Sequence, residues 1–306
     1  MRLLIAILLF ISIQSQSQIV RAHPFYRPPV SGCSYLLDQY SGAAAAYSLR
    51  QLRCAYTGPL IRVRRSSDNT ESDIYPTANG DLDTSALKTF VGTGGSDDGF
   101  VITWYDQSGN ARNVSQSTAA NQPQIVMSGV INRNLGKPAI FGDGSNDVLK
   151  VNLSINENLI YCFSVATRES GGRADGRFLS FGTDGAHDWA STSAWAAITV
   201  DSIRAYTYRN YAMIANVSTT LGTSYLYYSY LNGSNGGIAI NNNSPATGTT
   251  SSTSLNTAQL AVFAPVWWYT AGEFKGDIQE VIIYRSDISA NRSGINSNIN
   301  TYYSVY

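Results

Sequence analysis

One stretch of the sequence, Gly99–Val126, constrains the fold most because it joins an evident strand to a polar corner. It begins with FVITWY, a run of β-branched and aromatic residues typical of a β-strand. DQSGN follows, in which the aspartate can accept backbone hydrogen bonds and the glycine can adopt a positive φ. We therefore predict a rigid corner held by the side chains of Asp106 and Asn110. With Trp104 and Tyr105 beside it, this corner is equally consistent with a sugar-binding surface and a structural turn.

The rest of the chain repeats short β-prone runs separated by turns, which indicates an all-β protein. The 20 Tyr and 26 Gly among 306 residues fit this class. Asn232-Gly233 is the strongest hairpin signal. Short helices are predicted at Ala43–Leu49, at Ser85–Val91 with Asp83 or Thr84 as its N-cap, and within Ile288–Tyr303. Together these features predict a single jelly-roll β-sandwich over residues 33–306, with short helical additions.

Charge and histidine content exclude several classes of function. The 21 basic and 21 acidic residues balance, so the chain has no charge excess to attract nucleic acid or an acidic membrane surface. Two histidines do not support a Ser-His-Asp triad or a zinc site. The DLD sequence at 81–83 lacks the glycine and terminal glutamate of an EF-hand loop, and a helix cap explains it better. We therefore expect no metal and no cofactor.

The first residues have the pattern of a secretory signal. Residues 1–22 combine Arg2 with an apolar run, Leu3–Ile13, that is too short to span a bilayer. Residues 23–32 are proline-rich and read as a flexible arm. No other apolar stretch is long enough for a membrane span. The sequence thus predicts a secreted, extracellular protein.

Secretion permits disulfides and glycosylation. Cys33 and Cys54 enclose a short loop and are predicted to form a disulfide, whereas Cys162 lies in a buried-strand pattern and is predicted to stay unpaired. Six Asn-x-Ser sequons offer candidate glycosylation sites at Asn113, Asn152, Asn216, Asn232, Asn242 and Asn291.

Several segments resemble known families. FLSFG at 178–182, FKGDIQEVIIY at 274–284 and FGDGSND at 141–147 resemble concanavalin A-like, laminin-G-type jelly rolls. Residues 47–116, with RRSSD at 64–68 and WYDQSGN at 104–110, resemble the first part of the α-L-arabinofuranosidase B catalytic domain, which is itself a jelly roll. The second resemblance covers about a quarter of the chain and implies an arabinose-releasing glycosidase.

That resemblance implies a retaining mechanism with a glutamate nucleophile and an aspartate acid/base. The family's nucleophile follows a Val-Asp pair by two residues; Val200-Asp201 matches the pair, and the nucleophile position is Ile203. The acid/base is expected shortly before residues 272–276, where residues 264–269 read APVWWY and contain no acid. Alternative candidate carboxylates are Asp201, Glu273 and Asp277, with Asp184, Asp188 and Glu280 as further acids. For Glu280, in the middle of a predicted strand, a structural role is favoured.

Three functions follow from these observations. The leading one is a secreted glycan-binding β-sandwich that binds arabinose-containing glycans or a surface polysaccharide; the alternatives are an active α-L-arabinofuranosidase and a structural or adhesive extracellular protein. Self-association stays open as a further kind of partner. Aromatic faces stack on sugar rings and amides bond hydroxyls. The glycan-binding candidates are therefore Trp104, Tyr105, Asp106, Asn110, Trp189, Trp267, Trp268 and Tyr269, with Trp195 as an additional aromatic residue.

Overall fold

The fold is an antiparallel β-sandwich with a few short helices, as the sequence predicts. A computed structural model describes residues 32–155, 158–183, 195–209, 212–250, 257–266 and 272–306. The predicted signal peptide and most of the predicted arm therefore lie outside the described residues. Within the described ranges no helix is long and apolar enough to cross a membrane.

The described elements follow one another in this order along the chain. The first group is α1 (Leu36–Gln39), β1 (Ala43–Ser48), β2 (Ile61–Arg65), β3 (Glu71–Ile74), α2 (Thr84–Val91), β4 (Gly99–Trp104), β5 (Val114–Ser115), β6 (Gln124–Met127), β7 (Val130–Ile131), β8 (Arg133–Asn134), β9 (Lys137–Pro138) and β10 (Ile140–Asp143). The second group is β11 (Leu149–Ile155), β12 (Leu159–Arg168), β13 (Gly176–Gly182), β14 (Trp195–Val200), β15 (Arg204–Arg209), β16 (Ala212–Ser218), β17 (Ser224–Asn232), β18 (Asn235–Ile240), β19 (Ala246–Thr249), β20 (Thr257–Val262), β21 (Lys275–Tyr284) and α3 (Arg292–Tyr303).

β21 is the central strand of the first sheet. One of its edges pairs with β12, and the other pairs with β10 along its first half and β1 along its second half. The sheet continues from β12 through β17 and β18 to β19. All of these pairings are antiparallel. The strand order places β21 beside β1, although more than 200 residues separate them in the sequence.

The second sheet runs from β3 through β2, β4, β5, β11, β20, β13, β14 and β15 to β16. β6 connects the two sheets because it pairs with both β4 and β10. The main core lies between the sheets and includes Cys162 and Ile283 from the first sheet with Leu179 and Leu260 from the second. Burial of such side chains is the dominant favourable contribution to folding.

The outer face of the first sheet is also buried. Tyr161, Phe163 and Ile282 point away from the main core and pack with Ile295 and Ile299 of α3. Alternate residues of β12 therefore meet two different cores, which explains its nearly continuous apolar sequence. α3 confirms the helix predicted within 288–303.

Ala43–Leu49 is not the predicted helix. Residues 43–48 form β1, a fully buried strand in register with β21, where Ser48 lies opposite Glu280. An alanine run favours a helix in isolation, but propensity is a weak prior that tertiary pairing overrides. The small side chains fit here because both faces of β1 are covered.

The predicted helix cap, hairpin, disulfide and unpaired cysteine are all present in the structure. Asp83 caps α2, its Oδ1 accepting from Ser85 N at 3.1 Å and Ala86 N at 2.9 Å. β17 and β18 form the hairpin at Asn232-Gly233, with Gly233 at φ 62°. Cys33 and Cys54 form the predicted disulfide, with their Cα atoms 6.1 Å apart. In the chain-entropy model such a loop contributes about 3 kcal/mol. Cys162 is a free, buried thiol.

Candidate functional site

The corner after β4 is held by hydrogen bonds between buried side chains and the backbone. Asp106 is buried, and its Oδ1 accepts hydrogen bonds from Ala46 N at 2.8 Å and Ser108 N at 2.9 Å. Its Oδ2 accepts from Arg112 N at 3.0 Å. One carboxylate thus joins β1 to both sides of the corner, as the sequence predicts for Asp106.

The same geometry corrects two glycan-binding candidates. Trp104 is 0% exposed, because its ring packs in the main core beside Tyr47, and a buried ring cannot stack on a sugar. Asp106 is wrong as a sugar ligand for the same reason: its oxygens are occupied by backbone donors. Asn110 Nδ2 donates to the carbonyls of residues 43 and 44, both at 3.1 Å, which confirms its bracing role. Tyr105 is half-buried, and its hydroxyl donates to Asp73 Oδ1 at 2.8 Å.

Replacing Asp106 with alanine is expected to lower the free energy of unfolding by about 1–3 kcal/mol, because buried backbone donors lose their acceptor. Asp106→Asn keeps one acceptor oxygen and should lose less. Urea denaturation of the two variants beside the wild type measures both effects. An unchanged stability combined with lost sugar binding would instead make the corner a binding surface.

Several other candidates cannot be placed. Trp189, Trp267, Trp268, Tyr269, Asp184 and Asp188 lie outside the described residues. Trp195 begins β14, opposite Phe181 of β13. Five of the six sequon asparagines are exposed; the exception is Asn113, which is half-buried, with its Oδ1 accepting from Asp106 N at 2.9 Å.

Two of the candidate carboxylates, Asp277 and Glu280, are buried and form hydrogen bonds within the protein. Asp277 is buried and accepts from Asn132 Nδ2 at 2.6 Å and Asn134 Nδ2 at 2.8 Å. Burial raises the pKa of Asp277, and the two amide bonds partly offset that rise. Glu280 is fully buried and binds Arg50 through two bonds, Nε to Oε2 at 2.8 Å and Nη2 to Oε1 at 3.0 Å. This geometry supports the structural role predicted for Glu280.

The other two candidates, Asp201 and Glu273, belong to a cluster at one end of the sandwich. We call Arg168, Asp175, Arg177, Asp201 and Glu273 the sheet-end cluster. Backbone pairing assembles it, because β12 ends where β21 begins and β13 begins where β14 ends. The three carboxylates each face an arginine: Asp175 lies 2.9 Å from Arg177, Asp201 lies 3.0 Å from Arg204, and Glu273 lies 3.1 Å from Arg173.

Arg168 is the buried centre of the cluster. Its side chain is 4% exposed, and Nη2 donates to the carbonyl of Arg173. Nε and Nη1 have no hydrogen-bond partner among the residues that the structure describes. Burial lowers the pKa of Arg168, while the charges of Asp201 and Asp175 act in the opposite direction. A Cβ on Gly176 would collide with Nη1 of Arg168, so the glycine leaves room for this guanidinium.

The rim of the cluster is open to solvent. Arg173 is exposed, and Asp175 and Arg204 are partly exposed. Ile203, the residue at the position where the resemblance expects a nucleophile, is 64% exposed. Asp201 holds the turn beneath it, since its Oδ1 accepts from Ile203 N at 2.8 Å and Arg204 N at 2.7 Å. The rim therefore combines charged hydrogen-bonding groups with an exposed apolar side chain.

Sequence reasoning did not find Arg168, Arg177 or Asp175. The available signal for this cluster was Arg168 itself, which ends the apolar run of residues 159–167. A charge at the end of a buried strand usually needs a partner, so it points to a carboxylate nearby. Nothing local indicates that the carboxylates whose charges act on Arg168 are those of residues 175 and 201.

Sequence reasoning also missed the neighbouring acidic residues Asp143 and Asp147. Asp147 is buried after β10, and its Oδ2 accepts from Asp143 N at 2.8 Å. Burial raises the pKa of Asp147 to about 7, with a further contribution from the charge of Asp143. Asp143 lies opposite Lys275 in the β10–β21 register.

Comparison with known proteins supports an arabinofuranosidase-like fold. Residues 35–168, just under half of the chain, match the family model "Alpha-L-arabinofuranosidase B, catalytic". A search of curated protein sequences finds no match.

Solved structures agree with this match. The chain is similar to a mutant of a GH54 α-L-arabinofuranosidase soaked with 4-nitrophenyl α-L-arabinofuranoside, with a TM-score of 0.64 and 16% identity. It is also similar to an arabinofuranosidase complexed with arabinofuranosyl-α-1,2-xylobiose, with a TM-score of 0.62 and 16% identity. In both cases 84% of this chain aligns with 62% of the other, so the chain spans about three fifths of their length. At this identity the likeness shows the fold; the concanavalin A-like, laminin-G-type assignment stays a prediction.

Proposed function

We propose that this arabinofuranosidase-like β-sandwich is a secreted glycan-binding protein that holds arabinofuranosyl groups at the rim of the sheet-end cluster without hydrolysing them. The observation that carries the proposal is the exposed Ile203 at the position matched to the nucleophile. A hydrocarbon side chain cannot form a glycosyl intermediate. The sequence pattern of residues 1–22 and the Cys33–Cys54 disulfide support secretion.

The ligand class is supported by the relatives. Both arabinofuranosidases described above carry arabinofuranosides, and their fold covers most of this chain. Arg173, Asp175 and Arg204 place charged donors and acceptors at the rim, where neutral hydroxyls can be bonded. Charge-assisted hydrogen bonds of this kind are the stronger ones.

Hydrolysis is tested with 4-nitrophenyl α-L-arabinofuranoside, whose leaving group departs without needing a proton donor. We expect background release from the wild type and from Ile203→Gln, and release above background from Ile203→Glu, which supplies the missing carboxylate. Because Ile203 is exposed, both substitutions should leave the core intact. Release by the wild type, abolished by Asp201→Asn or Glu273→Gln, would establish the alternative of an active enzyme. If Ile203→Glu releases no more 4-nitrophenol than background, the assignment of Ile203 to the nucleophile position is contradicted.

Binding is tested by retention on immobilised arabinan. Arg173→Ala and Arg204→Ala are expected to weaken retention several-fold, and Arg133→Ala, an exposed arginine of β8, serves as the matched control. Equal retention of all three variants would exclude the rim as the binding surface. No retention of the wild type would favour a structural or adhesive role.

A further inference from the structure

A cavity of about 600 Å³ lies at the opposite end of the first sheet from the sheet-end cluster. Its walls include Tyr161 near the start of β12, whereas Arg168 of the cluster ends the same strand. Seven residues at about 3.3 Å per residue place the two some 20 Å apart. The cavity is therefore a separate feature, and its volume is in the range of small-ligand sites.

Three tyrosines form one wall of the cavity. Tyr161 and Tyr230 are register partners whose rings stack at 5.6 Å with an interplanar angle of 13°. The ring centroids of Tyr228 and Tyr230 are also 5.6 Å apart. Tyr161 and Tyr228 are each 2% exposed, so the half-buried Tyr230 offers the accessible aromatic surface. Tyrosine combines an apolar ring with a polar hydroxyl, which suits a ligand that has both kinds of surface.

Polar groups surround these rings. Asn232 Nδ2 donates to the Tyr161 hydroxyl at 3.0 Å and lies 3.5 Å from Asp287 Oδ2. The Arg292 guanidinium lies over the Tyr228 ring at 4.7 Å, and its Nε has no hydrogen-bond partner in the described part of the chain. An amide, a carboxylate and a guanidinium thus border one aromatic wall, all of them lining the cavity.

The charges of this wall indicate a neutral ligand. Hydrogen bonds from Ser289 lower the pKa of Asp287, so its carboxylate is ionised at neutral pH. Burial raises the pKa of Tyr161 to about 12, so its hydroxyl keeps its proton. One negative and one positive side chain give the wall no net charge to attract an acidic ligand, and both can bond hydroxyl groups.

We propose that this cavity binds a neutral oligosaccharide, with one sugar ring against Tyr230 and its hydroxyls bonded by Asn232, Asp287 and Arg292. This site does not depend on the function proposed for the sheet-end cluster. A glycan attached to the Asn232 sequon would start at the rim of the cavity and block it, so the site is available only in chains unmodified there.

The test is calorimetric titration of protein produced without glycosylation, using arabinotriose, xylotriose and cellotriose as neutral probes and trigalacturonic acid as the acidic one. We expect saturable binding of at least one neutral trisaccharide, weakened tenfold or more by Tyr230→Ala and by Asn232→Ala. Tyr75→Ala, which removes an exposed tyrosine elsewhere, is the matched control and should leave affinity unchanged. Circular dichroism melting of each variant identifies any that fail to fold, in which case Asp287→Asn replaces it.

Three outcomes would overturn the proposal: no binding of any neutral probe, binding unaffected by the cavity variants, or preference for trigalacturonic acid. Arg204→Ala separates the two sites, because it should weaken only binding at the sheet-end cluster. Loss of neutral trisaccharide binding in Arg204→Ala, with Tyr230→Ala unaffected, would assign all binding to the cluster and none to the cavity.

Discussion

Replacing Glu280 with alanine is expected to lower the free energy of unfolding by about 3–5 kcal/mol. The substitution leaves the buried Arg50 guanidinium without its bidentate partner, and an uncompensated buried charge is costly. Ser48 Oγ, which donates to Glu280 Oε2 at 2.7 Å, loses its acceptor as well. Denaturation in guanidinium chloride measures the loss.

Further variants separate the effect of the two charges of Arg50 and Glu280 on stability from the effect of burying their side chains. Glu280→Gln keeps the shape but removes the charge, and it should also destabilise. The double variant Arg50→Met with Glu280→Leu removes both charges and should be more stable than Glu280→Ala, since apolar replacement of a whole buried pair is often neutral. A loss below about 1 kcal/mol for Glu280→Ala would place the pair in the class of solvated surface pairs.

The second large effect is a loss of stability with rising pH caused by Asp147. Its pKa is about 7 in the folded chain, against about 3.9 for an unfolded aspartate. Because the folded pKa is the higher one, this contribution is fully present below pH 4 and is lost as the pH rises through 7. The difference amounts to about 4 kcal/mol.

Asp147→Asn isolates this effect, because an asparagine oxygen can still accept from Asp143 N. We expect the variant and the wild type to be about equally stable near pH 4, and the variant to be more stable by about 4 kcal/mol at pH 8. Urea denaturation at several pH values gives both curves. Parallel curves would show that Asp147 titrates with an ordinary pKa in the folded chain.

The sequence predicted those features that depend on neighbouring residues. The Asp106 corner, the Asp83 cap and the Asn232-Gly233 hairpin each follow from residues within a few positions of one another. The Cys33–Cys54 disulfide was predicted as well, because the loop is short. The prediction that Trp104 binds a sugar was wrong, because its ring is buried in the main core. An aromatic residue at a strand end has the same local sequence pattern whether it is buried or exposed.

Features that depend on distant partners could not be predicted in this way. β1 is a strand because β21 lies beside it, and nothing within an alanine run reveals that pairing. The sheet-end cluster exists because four strand ends meet, which brings Arg168 near Asp175 and Asp201. The tyrosine wall likewise requires the register of β12 with β17.

The pairings of β21 also determine when the protein can fold during synthesis. Ser48 and Glu280 are bonded across a separation of 232 residues, so β1 gains its main neighbour only after most of the chain has left the ribosome. Until then β1, β10 and β12 all lack the strand that lies between them in the finished sheet. Contacts of such long range slow folding and leave strand edges open to other chains. A nascent chain that stops before β21 would therefore depend on chaperones to remain unaggregated.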